Sequence, residues 1–244
     1  MSISSRDFNF FLPSSADYRP TVAISSCLVG QPVRYDGTGK LLTTASYLVD
    51  QLTLIEVCPE VGAGMSVPRP PIQLVDSRGR IEAIGRVDPS LKVTAALKQF
   101  SVNSADYLAT IIDGYIFKSR SPSCGVNSTP IYASDRSSDK PIKIGSGLQA
   151  YRIQKQMPWL PLREETDLEK SHHCGQFILQ CRVLHDLRTA SEAVSLQILH
   201  QHYRPLIDSM DTDSRHALER WQHSEVKEKY WTVFMTAMGR QLDS

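Results

Sequence analysis

The sequence predicts an α/β fold: a parallel-type sheet with flanking helices, followed by an all-helical C-terminal module. Three observations predict it. Short β-branched apolar runs alternate with helix-spaced segments through the first part of the chain. Three of those runs end at, or just before, a cysteine beside turn residues. Beyond about residue 150 glycine becomes rare and the apolar spacing turns helical.

The elements follow in order. TVAISSC (21–27) reads as a short buried strand, ended by a Gly/Pro-containing turn. LLTTASYLVDQLT (41–53) has helical spacing, and LIEVC (54–58) is a second strand. IQLV (72–75) and IEAIGRV (81–87) flank DSRG, a hairpin turn, and read as an embellishment near the sheet. Residues 90–110 are helix-spaced, with Asn103 and Ser104 as candidate interruptions, and IIDGYIF (111–117) is the third strand. Strand, helix, strand, helix, strand gives parallel βα units in a Rossmann-like arrangement. MPWLPLREET (157–166), with two prolines, reads as a connector into the helical stretches FILQCRVLHDL, AVSLQILHQHY and HALERWQHSEVKEKYWTVFMTAMG. The expected organisation is an N-terminal arm at 1–19, an α/β domain at 20–155 and a helical module at 156–244.

With 244 residues the chain is long enough for a sizeable core. Its 41% hydrophobic and 22% charged content is that of a soluble globular protein. A net charge of +1 excludes a strongly basic chain drawn as a whole to nucleic acid or anionic membrane. No apolar run approaches the roughly 18 residues of a membrane span, and the N-terminus lacks a secretory pattern. A cytoplasmic location is expected, where five cysteines serve as thiols or metal ligands rather than disulfides.

Cys27, Cys58 and Cys124 share one context, each at or just past a strand end with Gly/Pro turns after it. In parallel α/β sheets that edge is where ligands bind, so the three thiols are expected to converge there. Tight turns also let backbone N–H groups approach the sulfurs of a bulky ligand. The dispersed spacing is neither a zinc-ribbon nor a ferredoxin pattern, so spacing alone does not identify the metal. Cys174 and Cys181 lie seven apart on one helical face beside His172, His173 and His185; they read as core residues rather than a zinc site.

All seven histidines stand at or beyond residue 172, so proton transfer at the strand edge falls to carboxylates, lysine or water. Asp36 and Glu60 are the acids beside the cysteine turns, although Asp before Gly is also an ordinary turn residue. Arg34, Arg69 and Lys118–Ser119–Arg120 put positive charge near the same edge, and PRPP (68–71) reads as a stiff wall segment. GTGK (37–40) lacks the spacing of a phosphate loop, and no GxGxxG is present.

Taken together, SSCLVGQPVRYDG, CPEVGAGMSVPRPP and KSRSPSCG resemble the family called domain of unknown function 523, over roughly residues 20–150. Its characterised branch is the thiouracil desulfidase. The stretch LPLREETDLEKSHHCGQFILQCRVLHDL, within 157–187, looks like the connector into a second helical family, domain of unknown function 1722, of which the tail here is short. The resemblance implies an enzyme whose Cys27, Cys58 and Cys124 hold a [4Fe–4S] cluster with one iron free of protein ligands. That iron would bind the sulfur of a thiolated pyrimidine, and sulfide and the oxo-base would be released without net electron transfer. Glu60 is the first candidate for handling protons and Asp36 the second, with Ser121 orienting substrate or water. The implied partner is a small thiolated base or nucleoside. The interval from Cys27 to Cys58 is shorter than the family's, implying a trimmed helix and a reshaped pocket.

The competing reading is a non-catalytic iron–sulfur or zinc module acting through a partner or nucleic acid. Its charged tail has Arg215, Arg220, Lys227, Lys229 and Arg240 interleaved with Glu219, Glu225 and Glu228, the pattern of a solvated helix face. Trp221 and Trp231 read as packing residues of the helical module.

Overall fold

The computed structural model describes residues 19–134, 139–169, 171–193, 195–223 and 226–243. The expected N-terminal arm, apart from Arg19, lies outside the described residues, as do Glu225 and the His172 side chain. In chain order the elements begin with β1 (Thr21–Ser25), a 3₁₀ turn (Ser26–Val29), α1 (Ala45–Gln51), β2 (Thr53–Val57) and α2 (Pro59–Gly62). Next come β3 (Ile72–Ser77), β4 (Arg80–Gly85), α3 (Thr94–Leu108), β5 (Gly114–Phe117), β6 (Thr129–Ala133) and β7 (Lys143–Gly145). The chain continues through α4 (Leu148–Gln156), β8 (Leu162–Glu164), a 3₁₀ turn (Asp167–Glu169) and the helices α5 (Ser171–Ala193), α6 (Leu196–His202), α7 (Arg204–Asp208), α8 (Thr212–Trp221) and α9 (Lys227–Asp243).

The expected parallel sheet is present, with strand order β2-β1-β5-β8 and every pair parallel. Side chains alternate across it, as the period of two requires. Val22, Ile24 and Ile116 pack with Ala45 and Leu48 of α1 and with Cys174, Phe177 and Cys181 of α5. Ala23, Tyr115 and Phe117 pack on the other face with Ala105 and Leu108 of α3 and Ala150 and Ile153 of α4. The result is three layers, helix on sheet on helix.

Several sequence expectations are corrected. Strand β8 comes from the stretch read as a connector and lies beyond residue 155, yet it pairs with β5 through Tyr115↔Leu162 and Phe117↔Glu164. Its prolines are no obstacle at a sheet edge: Pro161 supplies only its carbonyl, to the Tyr115 N–H at 3.0 Å. The hairpin of β3 and β4 is not an isolated embellishment, because it belongs to a second sheet of order β4-β3-β6-β7. Helix α3 runs without interruption. Asn103 accepts from Gln99 at 3.0 Å and Ser104 accepts from Gln149 at 3.1 Å, so neither side chain competes for the helix backbone.

The tail is joined to the sheet through Asp113, which is 2% exposed. Its carboxylate accepts from the Thr21 N–H at 2.9 Å, lies 2.7 Å from His185 Nδ1 and pairs with Arg188 at 3.1 Å, both from α5. Arg188 also donates to the Ala109 carbonyl at 3.0 Å. Helix α5 comes this close because β5 offers glycine: a Cβ on Gly114 would lie 2.5 Å from Cys181 Sγ. Cys174 and Cys181 are buried core residues, and the Cys174 thiol donates to the Leu168 carbonyl at 3.1 Å. Trp221 and Trp231 are half-buried against the core that holds Tyr203, Tyr230 and Phe234. Among the described residues no helix is long and apolar enough to cross a membrane.

Candidate active site

The carboxyl ends of β1, β2 and β5 face one cavity of about 670 Å³, and Cys27, Cys58 and Cys124 all line it. Cys27 sits in the 3₁₀ turn directly after β1, closed by Gly30 at φ 91°, a conformation that favours glycine. Cys58 follows β2 and precedes α2, whose Pro59 occupies the first helical position, where its missing N–H costs nothing. Cys124 follows β5 at the end of a turn held by Ser121. The Ser121 hydroxyl accepts from the N–H groups of Ser123 and Cys124, both at 3.2 Å, and its carbonyl accepts from Gly125 at 2.9 Å. The start of α4 locks the turn from behind, with Leu148 and Gln149 donating to the Pro122 and Ser123 carbonyls at 3.0 and 2.9 Å. Gly147 permits that approach, since a Cβ there would lie 2.5 Å from the Ser123 carbonyl carbon.

Burial and mutual proximity set the character of the thiols. Burial first, then the neighbouring Cys58, pushes Cys27 up to about 11 against the opposing pull of Lys118 and Arg34. Burial raises Cys58 as well, opposed by the Val61 backbone N–H. Cys124 is pushed highest, by burial first and then by Cys27, Glu60 and Cys58, with the Ser25 hydroxyl opposing. Catalytic cysteine nucleophiles have depressed values, so these thiols are poor nucleophiles. A metal centre overrides such shifts, because ligation deprotonates a thiol outright. Among the described residues no three His, Cys, Asp or Glu side chains gather closely enough to hold one metal ion. A cluster asks less, because its thiolates spread over several irons. The donor set fits a cluster: three thiols on three strand ends, Cys27 and Cys124 buried and Cys58 half-buried, Lys118 and Arg34 acting on Cys27, and a buried, unpaired Tyr115 hydroxyl in the same core as Cys124.

Glu60 lines the cavity from α2 and is fixed at both oxygens. Arg69 donates to Oε2 from Nε at 2.8 Å and from Nη2 at 2.7 Å, and the Ser123 hydroxyl donates to Oε1 at 2.9 Å. Arg69 is itself anchored, its N–H on the Tyr35 carbonyl at 2.9 Å. Ser121 lines the cavity too, with its hydroxyl occupied by the turn it holds. Asp36 is not among the lining residues: it accepts from the Thr38 hydroxyl and N–H at 2.6 and 3.0 Å, and these bonds hold its carboxyl below the usual range. Its neighbours Arg34 and Tyr35 do line the cavity, as do Lys118 and Arg120.

One polar assembly lay outside the sequence reading. Lys118, at the end of β5, forms an ion pair with Glu165, just past β8, and donates to the Ser119 hydroxyl at 2.9 Å. Glu165 also accepts from the Ser119 N–H at 2.6 Å and hydroxyl at 2.7 Å. Burial pushes that carboxyl up, but its bonds to Lys118 and Ser119 outweigh burial and hold it low. The one sequence signal was the Glu164–Glu165 pair in LPLREET, which the strand pairing of β8 carries to the cavity edge.

The model of the 2-thiouracil desulfurase family matches residues 22–165, more than half of the chain. The chain belongs to the 2-thiouracil desulfurase family. The region matched by this desulfurase family contains the parallel sheet and all three cavity cysteines, and it ends before α5. The chain is similar to Uncharacterized protein YbbK of Bacillus subtilis (strain 168), at 30% identity over 113 residues, 43% of this chain and 72% of that protein. Among solved structures it is similar to the [4Fe-4S]-dependent thiouracil desulfidase TudS, with a TM-score of 0.50 and 27% identity, covering 62% of this chain and 93% of that one.

Proposed function

We propose that this protein is a desulfidase of small thiolated pyrimidines, with Cys27, Cys58 and Cys124 holding a [4Fe–4S] cluster. The observation that carries the reading is the convergence of three thiols, two buried and one half-buried, from three parallel strand ends, on one cavity. The family match and the similarity to a [4Fe-4S]-dependent thiouracil desulfidase support it. In the net reaction the thione and water give the oxo-base and hydrogen sulfide: a C–O bond forms, the C–S bond breaks, and no electrons are gained or lost. When bound, the cluster supplies Lewis acidity, through its iron without a protein ligand, to the sulfur that leaves.

The protein's own residues do the rest. Glu60, aimed by Arg69 and Ser123, takes the proton of the attacking water. Ser121 holds the Cys124 turn in shape through its two backbone N–H contacts. Lys118 and Arg34 offset negative charge at Cys27. Asp36, bonded within its turn to Thr38, shapes the segment that presents Arg34 and Tyr35.

The test is anaerobic reconstitution with iron and sulfide, followed by 4-thiouracil and 2-thiouracil. The expected result is a brown protein with about four irons per chain that releases sulfide and uracil. A colourless protein that takes up zinc instead overturns the reading.

A further inference from the structure

Ser26, in the 3₁₀ turn after β1, lines the three-cysteine cavity and is only 7% exposed. Its hydroxyl has no hydrogen-bond partner among the described residues. The turn holds this residue by its backbone, with the Ser26 carbonyl accepting from the Gln31 N–H at 3.3 Å. A buried hydroxyl is ordinarily paired, with protein, water or ligand. The other serines of the lining are engaged. Ser25 accepts from the Lys118 N–H at 3.0 Å, Ser119 donates to Glu165 at 2.7 Å, and Ser121 accepts from two N–H groups of its own turn. Lys118 directs Nζ at Ser119 and Glu165, and Glu60 is held by Arg69 and Ser123. Ser26 is therefore the lining serine left to meet a ligand. It directly precedes Cys27, which on the reading proposed above puts it beside the place where the substrate's sulfur binds. Val33, Tyr35, Pro71 and Ile72 give the same cavity apolar walls on which a planar ring can lie.

We infer that Ser26 is a specificity-determining residue: its hydroxyl oxygen accepts a hydrogen bond from the ring N–H next to the thione carbon of the substrate. The inference rests on the desulfidase reading of the site and narrows its substrates to cyclic thioamides with that N–H free. A serine oxygen has two lone pairs to offer such a donor. A ring alkylated at that nitrogen has no proton to give and leaves the buried hydroxyl unpaired, which is how a site built for a hydrogen bond rejects the analogue that lacks it.

The test compares 4-thiouracil with 3-methyl-4-thiouracil on reconstituted wild type and Ser26→Ala. Wild type is expected to favour the unmethylated ring in kcat/KM. In Ser26→Ala the KM for 4-thiouracil rises about fivefold, the size of one hydrogen bond between neutral groups, and the preference over the methylated ring falls by a similar factor. The variant takes up as much iron as wild type. The cluster-free forms melt alike, because the hydroxyl has no bond in the fold to lose. A wild type that treats the two rings alike, or a variant that keeps the wild-type preference, overturns the inference and leaves the desulfidase reading standing. A cluster-free variant that melts lower than wild type also overturns it, since the hydroxyl then has a partner in the protein. A wild type that releases sulfide from neither ring overturns both, and its own failure separates that outcome from the others.

Discussion

Arg69 directs Nε and Nη2 at a single oxygen of Glu60, Oε2, and leaves Oε1 to the hydroxyl of Ser123. Ser123 precedes Cys124, so the Glu60 carboxylate on α2 is tied to the turn that presents the third cavity thiol. Glu60→Gln is expected to lower kcat by about 10²–10⁴, the usual worth of a general base, while iron content stays at the wild-type level. Arg69→Lys retains the charge but loses the forked contact, so it is expected to fall between the two. Sulfide release per iron measures both.

Each of Cys27→Ala, Cys58→Ala and Cys124→Ala is expected to abolish iron binding after anaerobic reconstitution, because each removes one of the three proposed ligands. Cys174→Ala is expected to bind iron fully. Its thiol bonds to the Leu168 carbonyl inside the helix-facing core, away from the cavity lining. Iron and sulfide assays on all four variants check the assignment. Full iron in Cys58→Ala would refute it.

The cluster-free protein should lose stability in alkali. Cys27 rises from the ordinary 9.0 to about 11, so the folded chain holds that proton more tightly than the unfolded chain. The contribution is complete below about pH 9 and lost as pH climbs to about 11, amounting to about 3 kcal/mol. Urea unfolding at about pH 8 and about pH 10.5 is the measurement, with a shallower decline expected in Cys27→Ala.

Asp113→Ala should unfasten the tail. It removes the buried carboxylate that both Arg188 and His185 face and leaves the guanidinium without its counter-charge, with only backbone carbonyls to bond. Loss of one member of a buried pair costs about 3–5 kcal/mol. Denaturant unfolding should show it, and hydrogen exchange should rise first in α5.

Gly114→Ala drives a methyl group to within 2.5 Å of Cys181 Sγ and 3.0 Å of Phe177. Overpacking of this kind costs about 1–3 kcal/mol. Adding Cys181→Ala should recover part of the loss, and the two single variants with the double variant form the cycle that measures it.

The strand-end cysteines were legible because the signals are local. Apolar runs such as TVAIS and GYIF fix where a strand stops, and the Gly/Pro residues after them fix the turn. Glu60 was legible for the same reason, two residues from Cys58. Asp36 shows the limit of nearness in sequence: two short bonds to Thr38 turn it away from the cavity that Tyr35, next to it, lines. The Lys118–Glu165 pair depends on β8 pairing with β5, and a three-residue strand beside prolines carries no periodicity to read. The second sheet was missed likewise, because β7 has only three residues and β6 contains Pro130.

Because Glu165 arrives on the strand that leads out to the helices, the site and the tail share a seam at β8. Recombination between relatives is constrained by that seam. A tail grafted at residue 155 would bring its own edge strand and its own acid, and both would have to suit Lys118 of the recipient. A tail grafted after Glu165 carries neither, and needs only a first helix slim enough to lie on Gly114 and an arginine able to reach Asp113. Chimaeras joined at the second point should fold where those joined at the first do not, which makes the end of β8, rather than the prolines before it, the natural crossover.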